Sequence, residues 1–302
     1  MVGCLNVAQI NLHHSCSASG ILCKRLASGD FDIALIQEPW THRGKILGLS
    51  LNGFEIFYDN TCERPRSCIV VSSRLNGLLL ANYLDGDNVA VGVNFKYQGH
   101  KDDLILMSSY LPYEEKSPFS EKMKGLIEFC SRENKRLILG CDANAHHTIW
   151  GSTDCNKRGD ELLEDILMYN LCLLNHGNEP TFITRNRSEV IDITMCNTKC
   201  ITYIKDWRVS NEVTLSDHRL IKFSIAGPAI LKRDYRNPRK TDWGSYTKEV
   251  EEVARCASGK YSSIVDLELA VDQLQQGILQ SYYQSYNVTT TNSPMLVNSL
   301  VV

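Results

Sequence analysis

A four-layer α/β sandwich, two packed β-sheets with helices on the outside, is the architecture this sequence predicts, and three observations predict it. Short unbroken runs of Val, Ile and Leu, such as Ala34-Leu35-Ile36 and Leu137-Ile138-Leu139, read as strands buried on both faces. Strand-like segments outnumber helical ones, and β-rich stretches alternate with strand–helix pairs, which suits two stacked sheets better than one doubly wound sheet. Turn signals at Asn76-Gly77 and Asp85-Gly86 break the segment from Phe54 to Phe95 into hairpins.

In order along the chain, Leu5 to Leu12 alternates enough for a strand, and Ala18 to Ala27 places Ile21, Leu22 and Leu26 at helical spacing before a stop at Gly29. Phe31 to Gln37 is a buried strand; Ile69 to Val71, Leu78 to Leu80 and Val89 to Phe95 follow as hairpin strands. Leu104 to Leu111 reads as strand, Phe119 to Glu133 as helix, Leu137 to Cys141 as strand and Glu161 to Tyr169 as helix. Thr181 to Ile183, Val190 to Met195, Ile201 to Val209 and Leu220 to Ile225 complete the strands. The composition shifts at Gly227, so residues 1–226 are expected to form one domain. Residues 227–302 follow as a basic linker (Lys232 to Lys240), a helical extension from Trp243 to about Tyr286 and a frayed tail. Trp243, Tyr246, Val250 and Val253 would share one apolar helix face.

The chain has 302 residues, 43% of them hydrophobic, and a formal net charge of −3. That excludes disorder as the default and excludes an overall basic field drawing the protein onto nucleic acid, so any polyanion must be handled locally. The 12 cysteines are scattered inside apolar runs without zinc-ribbon spacing and read as reduced hydrophobes. The first ten residues are too short and polar for a secretory segment, and no stretch approaches the roughly 18 apolar residues of a membrane span. Nucleus or cytoplasm is expected, which leaves the glycosylation matches at Asn186 and Asn287 without meaning.

Chemistry enters through carboxylates at the ends of apolar runs: Gln37-Glu38, Asp142-Ala143-Asn144, Ile191-Asp192 and Ser216-Asp217-His218. Acids delivered to one rim of a sheet repel each other and are tolerated where a cation, a proton or phosphate chemistry needs them. Read singly, Gln-Glu-Pro is also compatible with a solvated corner, Asp-Ala-Asn with an Asx turn and Ser-Asp-His with a cap. Asp142 and Asn144, two apart after a buried strand, face the same side and can grip one water or one phosphate oxygen. Asp192 in an apolar run needs a partner, since a lone buried carboxylate costs on the order of several kcal/mol. His218 is its natural partner, and the pair would keep the imidazole protonated near neutral pH.

Taken together these residues resemble the endonuclease/exonuclease/phosphatase superfamily over about Leu5 to Ala226. The matching set is Gln9-Ile10-Asn11, Gln37-Glu38, Ser109-Tyr110-Leu111-Pro112, Asp142-x-Asn144, Asp192 and Ser216-Asp217-His218. A narrower likeness, to the endonuclease domain of Jockey-like non-LTR retrotransposons, is carried by Asn11-Leu12-His13-His14, Glu38-Pro39-Trp40, Asp142 to His147, Trp150-Gly151-Ser152 and Pro180-Thr181-Phe182. The resemblance implies a DNase I-like fold and a Mg²⁺ enzyme, with Mn²⁺ also suitable, that nicks target DNA and leaves a 3′ hydroxyl to prime reverse transcription. Glu38 would hold the metal with Asn11 and Asp217; Asp142 would activate water; Asn144, Tyr110, Thr181 and His218 would grip phosphate; and Asp192 would fix the imidazole. The identity of the base, Asp142 or His218, stays open. Family members continue into a reverse transcriptase, whereas no polymerase motif occurs here, and a truncated copy is the expectation; the oligomeric state is not indicated.

Two rivals are a decayed DNA-binding remnant, with Arg64, Arg66 and the basic linker touching phosphates, and a phosphodiesterase of the same fold acting on another substrate. The pairs His13-His14 and His146-His147 invite zinc, but neighbours on a strand face opposite ways and the accompanying oxygens of Asp, Glu and Asn favour Mg²⁺ or Mn²⁺. One histidine of each pair is expected to line the DNA cleft and the other to pack inside.

Overall fold

The structure is a computed structural model that describes residues 4–97, 100–226, 230–235, 239, 241–257, 259–285 and 289–294. Its strands are β1 (Leu5–Asn11), β2 (Ile33–Gln37), β3 (Thr41–His42), β4 (Lys45–Ile46), β5 (Phe54–Phe57), β6 (Ser67–Ser72), β7 (Leu78–Leu79), β8 (Asn88–Tyr97) and β9 (His100–Tyr110). They continue with β10 (Arg136–Asp142), β11 (Leu171–Leu173), β12 (Phe182–Ile183), β13 (Ser188–Glu189), β14 (Asp192–Asn197), β15 (Ile204–Val209), β16 (Ile221–Ile225), β17 (Ile230–Tyr235) and β18 (Thr289–Pro294). The α-helices are α1 (Cys16–Ala27), α2 (Glu121–Arg132), α3 (Lys157–Met168), α4 (Trp243–Ala257) and α5 (Ile264–Gln284).

Two six-stranded sheets form, in the orders β15-β16-β1-β2-β6-β5 and β11-β14-β10-β9-β8-β7. The period-two alternation of each strand explains why they stack. Leu5, Val7, Ile33, Leu35, Ile69 and Val71 point from the first sheet into a core shared with Val91, Leu104, Leu106 and Ile138 of the second. The alternate residues Ala8, Ile10, Ala34, Ile36 and Val70 face Ala18, Leu22 and Leu26 of α1. On the far side Met107, Leu139, Ile193 and Met195 receive Met123, Leu126 and Ile127 of α2 with Leu162 and Ile166 of α3. Helix, sheet, sheet, helix is therefore the layer order, as the sequence predicted. Each of these helices begins on a side-chain cap, Ser15 for α1, Ser120 for α2 and Asn156 for α3, whose oxygens accept the N–H of Ala18, Met123 and Gly159.

A polar seam interrupts the inter-sheet core. Gln9 donates to the carbonyls of Cys141 (3.3 Å) and Ile193 (3.0 Å), and its own carbonyl accepts from Thr194, which in turn accepts from the Trp207 indole. Gln37 donates to Ser108 (2.9 Å) and the Gly140 carbonyl (3.1 Å), and Ser67 donates to Ser108. Gly140 allows this approach, since a Cβ there would lie 2.8 Å from Gln9 Oε1 and Leu35 Cδ1. Directional bonds between sheets fix their relative register, which non-directional apolar contact does not.

The chain divides into two units, one comprising Met1–Pro228 with Leu296–Val302 and the other Ala229–Met295. In the second unit α4 and α5 pair, with Gly277 directly beneath Val253 and the rings of Tyr246 and Tyr282 edge to face at 6.2 Å. Where the sequence suggested a linker and a frayed tail, β17 and β18 pair antiparallel, Ile230 opposite Pro294. The boundary residue Gly227, residues 236–238 and 240 of the basic stretch, and residues 295–302 lie outside the described residues. Among the described residues, no helix is long and apolar enough to cross a membrane.

Candidate active site

Parallel pairing of β1 with β2 sets Asn11 beside Gln37, so Glu38 follows at the same rim of the first sheet. In the second sheet β9 and β10 run parallel with Tyr110 beside Asp142, and β14 runs antiparallel with Asp192 opposite Asp142. Tyr110, Asp142 and Asp192 thus stand abreast on three neighbouring strands. The sequence reading placed Asp192 at the end of the apolar run Val190-Ile191, inside a strand from Val190 to Met195; it opens β14 instead, and Ser216-Asp217-His218 forms the loop leading into β16. Reversed strand direction brings the starts of β14 and β16 to the rim where β1, β2 and β10 end.

Side-chain bonds join the two rims, beginning with Asn11 Nδ2, which donates to Asp142 Oδ2 at 2.8 Å. Asn11 Oδ1 accepts the His13 N–H at 2.7 Å, so the amide is oriented by both partners, nitrogen toward the carboxylate. Asp142 Oδ1 accepts the N–H of Asn144 at 3.3 Å, and Asn144, with φ of 48°, turns its amide to the Leu111 carbonyl. His218 Nδ1 donates to Asp192 Oδ2 at 2.8 Å, both groups buried. The other Asp192 oxygen, Oδ1, is buried without a protein partner. Ser216 ties this loop to the first sheet, donating to the Asn11 carbonyl (2.9 Å) and accepting the His218 N–H (3.2 Å).

Burial alone would discharge the His218 ring, but Asp192, then Asp142 and Asp217, carry it up to about 9. Burial, reinforced by Asp192, pushes the Asp142 carboxyl well above the usual carboxylate range. The Tyr110 phenol is pushed up to about 12, chiefly by burial and then by Glu38 and Asp142, and so keeps its proton to donate. Excess negative charge is the common thread.

Asn11, Glu38, Tyr110, Asp142, Asn144 and His218 line one cavity of about 550 Å³. Asp192 sits behind His218. Asp217 is not on that wall and faces His13 Nδ1 at 3.3 Å. Thr181 corrects the expectation that it grips phosphate: fully buried, its hydroxyl accepts the N–H groups of Ile191 (3.1 Å) and Asp192 (3.0 Å) and so locks the start of β14.

The histidine pairs meet the expectation in part, with His13 and His146 on the cavity wall. His13 and His14 follow β1 in a turn, with φ of 47° and 52°, and both are exposed, so neither packs inside. His146 lies between Asp154 (3.0 Å) and Glu189 (3.1 Å), while His147 caps the short helix at Thr148–Trp150 and meets the Trp150 ring at 5.3 Å. Gln9, Gln37 and Ser216, quoted in the matching motifs without a role, support the site, as does Asn175, which bonds the Asp192 carbonyl and the Thr194 N–H and was missed by sequence reasoning. A signal existed for two of them, since amides inside apolar strands one or two positions before a rim residue need buried partners.

The residues suit a divalent cation. Glu38 sits in the left-handed region at φ 44°, a strained backbone for a side chain, and among the described residues its carboxylate meets only His14 Nε2, at 3.9 Å, within ion-pair reach. Oxygen atoms of Glu38, Asp142 and Asn11 are hard donors, and the unpartnered Asp192 oxygen and the raised Asp142 carboxyl mark charge that a cation would neutralise. Ligand atoms of Asp142, Asp192 and His218 lie within 4.8 Å of one another, but the last two are already committed to each other.

A family model described as endonuclease-reverse transcriptase matches residues 104–222. The Pol polyprotein of the type-1 retrotransposable element R1 from Bradysia coprophila is 28% identical over 177 residues, 53% of this chain and 17% of that polyprotein. This chain thus spans about a sixth of that relative's length. Among solved structures, the endonuclease domain of TRAS1, a telomere-specific non-LTR retrotransposon, is 29% identical, with a TM-score of 0.61 over 74% of this chain and 98% of that one. The AP endonuclease LMAP from Leishmania major, 11% identical with a TM-score of 0.57 over 74% and 88%, shares the fold. With both the fold and the rim residues in place, the chain is similar to retrotransposon endonucleases and shares their fold.

Proposed function

We propose that this protein is a Mg²⁺-dependent DNA endonuclease that nicks one strand and leaves a 3′ hydroxyl able to prime reverse transcription. The observation that carries the reading is the meeting of rim residues from both sheets, Asn11 with Asp142 at 2.8 Å and His218 with Asp192 at 2.8 Å, on one cavity that also holds Glu38 and Tyr110. Glu38 and Asn11 would hold the ion, which when bound supplies Lewis-acid polarisation of the scissile phosphate.

The remaining chemistry belongs to the chain. Asp142, oriented by Asn11 and by the Asn144 N–H, accepts the proton of the attacking water, a task its raised carboxyl suits. His218 is held as an imidazolium by Asp192, so it donates to a phosphate oxygen and stabilises the charge that develops there; this selects Asp142 over His218 as base. Tyr110 donates its phenolic proton to the same phosphate, and Asn144 borders it.

The test is nicking of supercoiled plasmid by the full chain with Mg²⁺ and with excess EDTA. Asp142→Ala and His218→Ala are expected to lose about 10²–10⁴ in rate while remaining folded. A chain that shifts DNA on a gel equally with EDTA and never nicks is a binding remnant, and the proposal fails.

A further inference from the structure

Arg66 touches neither the proposed water-activating carboxylate nor the imidazole, yet it is bound to the two residues that frame the site on either side. Its guanidinium forms a two-pronged pair with Asp87, Nε to Oδ1 at 2.6 Å and Nη2 to Oδ2 at 2.7 Å, and lies over the Tyr110 ring at 4.7 Å from the centroid. The same two residues grip the backbone. The Arg66 carbonyl accepts the N–H of Glu38 at 2.8 Å, and the Asp87 carbonyl accepts the N–H of Tyr110 at 2.9 Å. The Arg66 N–H donates to Gly86 at 2.6 Å and closes the unit.

We infer that Arg66, clamped by Asp87, is a positioning residue that sets the ring plane of Tyr110. The inference rests on the nicking activity proposed above. A planar fork fixed by a bidentate carboxylate can serve as a flat platform for an aromatic ring, which a flexible ammonium cannot. A phenol that must reach one phosphate oxygen gains from such a platform, because misplacement by about 1 Å can cost about a hundredfold in rate. The pairing with Asp87 also spends the charge locally, so Arg66 is not the free cation that a phosphate contact would call for.

The test is a double-mutant cycle on the full chain in the Mg²⁺ nicking assay, with Arg66→Gln, Asp87→Asn, Tyr110→Phe and Arg66→Gln/Tyr110→Phe. Arg66→Gln is expected to lower kcat about tenfold to a hundredfold with KM within about twofold, Asp87→Asn to show part of that loss, and Arg66→Lys not to restore it. In the Tyr110→Phe background, where no hydroxyl remains to be placed, Arg66→Gln should cost less than about threefold more. The salt dependence of KM should be unchanged by Arg66→Gln. Additive losses, or a KM salt slope lower by about 0.9, would show a general structural role or a direct phosphate contact and overturn the inference. A nicking parent with either result overturns this inference alone, whereas a parent that never nicks overturns the proposed function and this inference with it.

Discussion

Replacing Asp192 by Asn removes a negative charge from behind His218 while keeping an oxygen to accept the Nδ1–H bond now measured at 2.8 Å. Against burial, the largest influence on it, Asp192 together with Asp142 and Asp217 carries the parent ring up to about 9. Without the Asp192 charge, burial is opposed only by Asp142 and Asp217, and the ring falls well below its parent value. At about pH 8 the parent imidazole is about nine-tenths protonated, and each unit by which the variant ring lies below that pH cuts its protonated fraction, the form that can stabilise phosphate charge, about tenfold. Toward about pH 6 the difference narrows. Single-turnover nicking of plasmid by both proteins across this range is the assay. A parent-to-variant ratio that stays constant with pH would refute the imidazolium role, and a ratio that falls toward high pH would point to His218 as base.

The metal-free protein should respond to pH in a defined direction. His218 has a raised pKa in the folded state, so its contribution is complete below about pH 6.5, amounts to at most about 3 kcal/mol, and is lost as pH climbs through about 9; the raised Asp142 acts in the same sense at lower pH. Melting temperature is thus expected to fall from about pH 6.5 to 9 without metal, and Mg²⁺ should raise it more at the upper end, where protons no longer compete; an equal Mg²⁺ shift at both ends contradicts this. Gly140→Ala should cost about 1–3 kcal/mol in urea unfolding, since its Cβ would press on Gln9 Oε1 and Leu35 Cδ1, and it should also slow nicking by shifting β10 under Asp142. A stability loss with full activity would mean that the seam does not position the site.

The layers were legible because each strand repeats a two-residue alternation whose two faces meet different partners: Ile33 and Leu35 meet the opposite sheet, Ala34 and Ile36 meet α1. Strand direction was not legible. Val190 to Met195 looks the same read either way, and only the antiparallel pairing with β10 reveals that Asp192, at the start of β14, meets the end of β10. Hairpins as short as β3–β4 and β12–β13 carry too few residues for periodicity to report.

At the site, Glu38, Asp142, Asn144 and His218 were singled out from residue type and position and Asn11 and Tyr110 through the family resemblance, and all six reach one cavity. Asp217 and Thr181 share that sequence context but turn away, Asp217 to His13 and Thr181 to the backbone of β14, because side-chain direction in a loop depends on dihedrals that spacing does not encode. The first histidine pair misled for the same reason: a strand alternation was expected of His13 and His14, whose positive φ values put them in a turn. Arg66 was singled out only as a phosphate contact; its pairing with Asp87 and Tyr110 was not legible, because they are 21 and 44 residues away and nothing in the local sequence links them.

The central claim is that carboxylate and amide oxygens from both sheets converge on one divalent cation. Crystals grown with Mn²⁺ and measured for anomalous scattering test it most directly. A single strong peak within about 2.3 Å of a Glu38 oxygen, in the cavity shared with Asn11 and Asp142 and lost in Glu38→Gln crystals, is the predicted result. No peak there, or one that persists without the Glu38 carboxylate, would contradict the account.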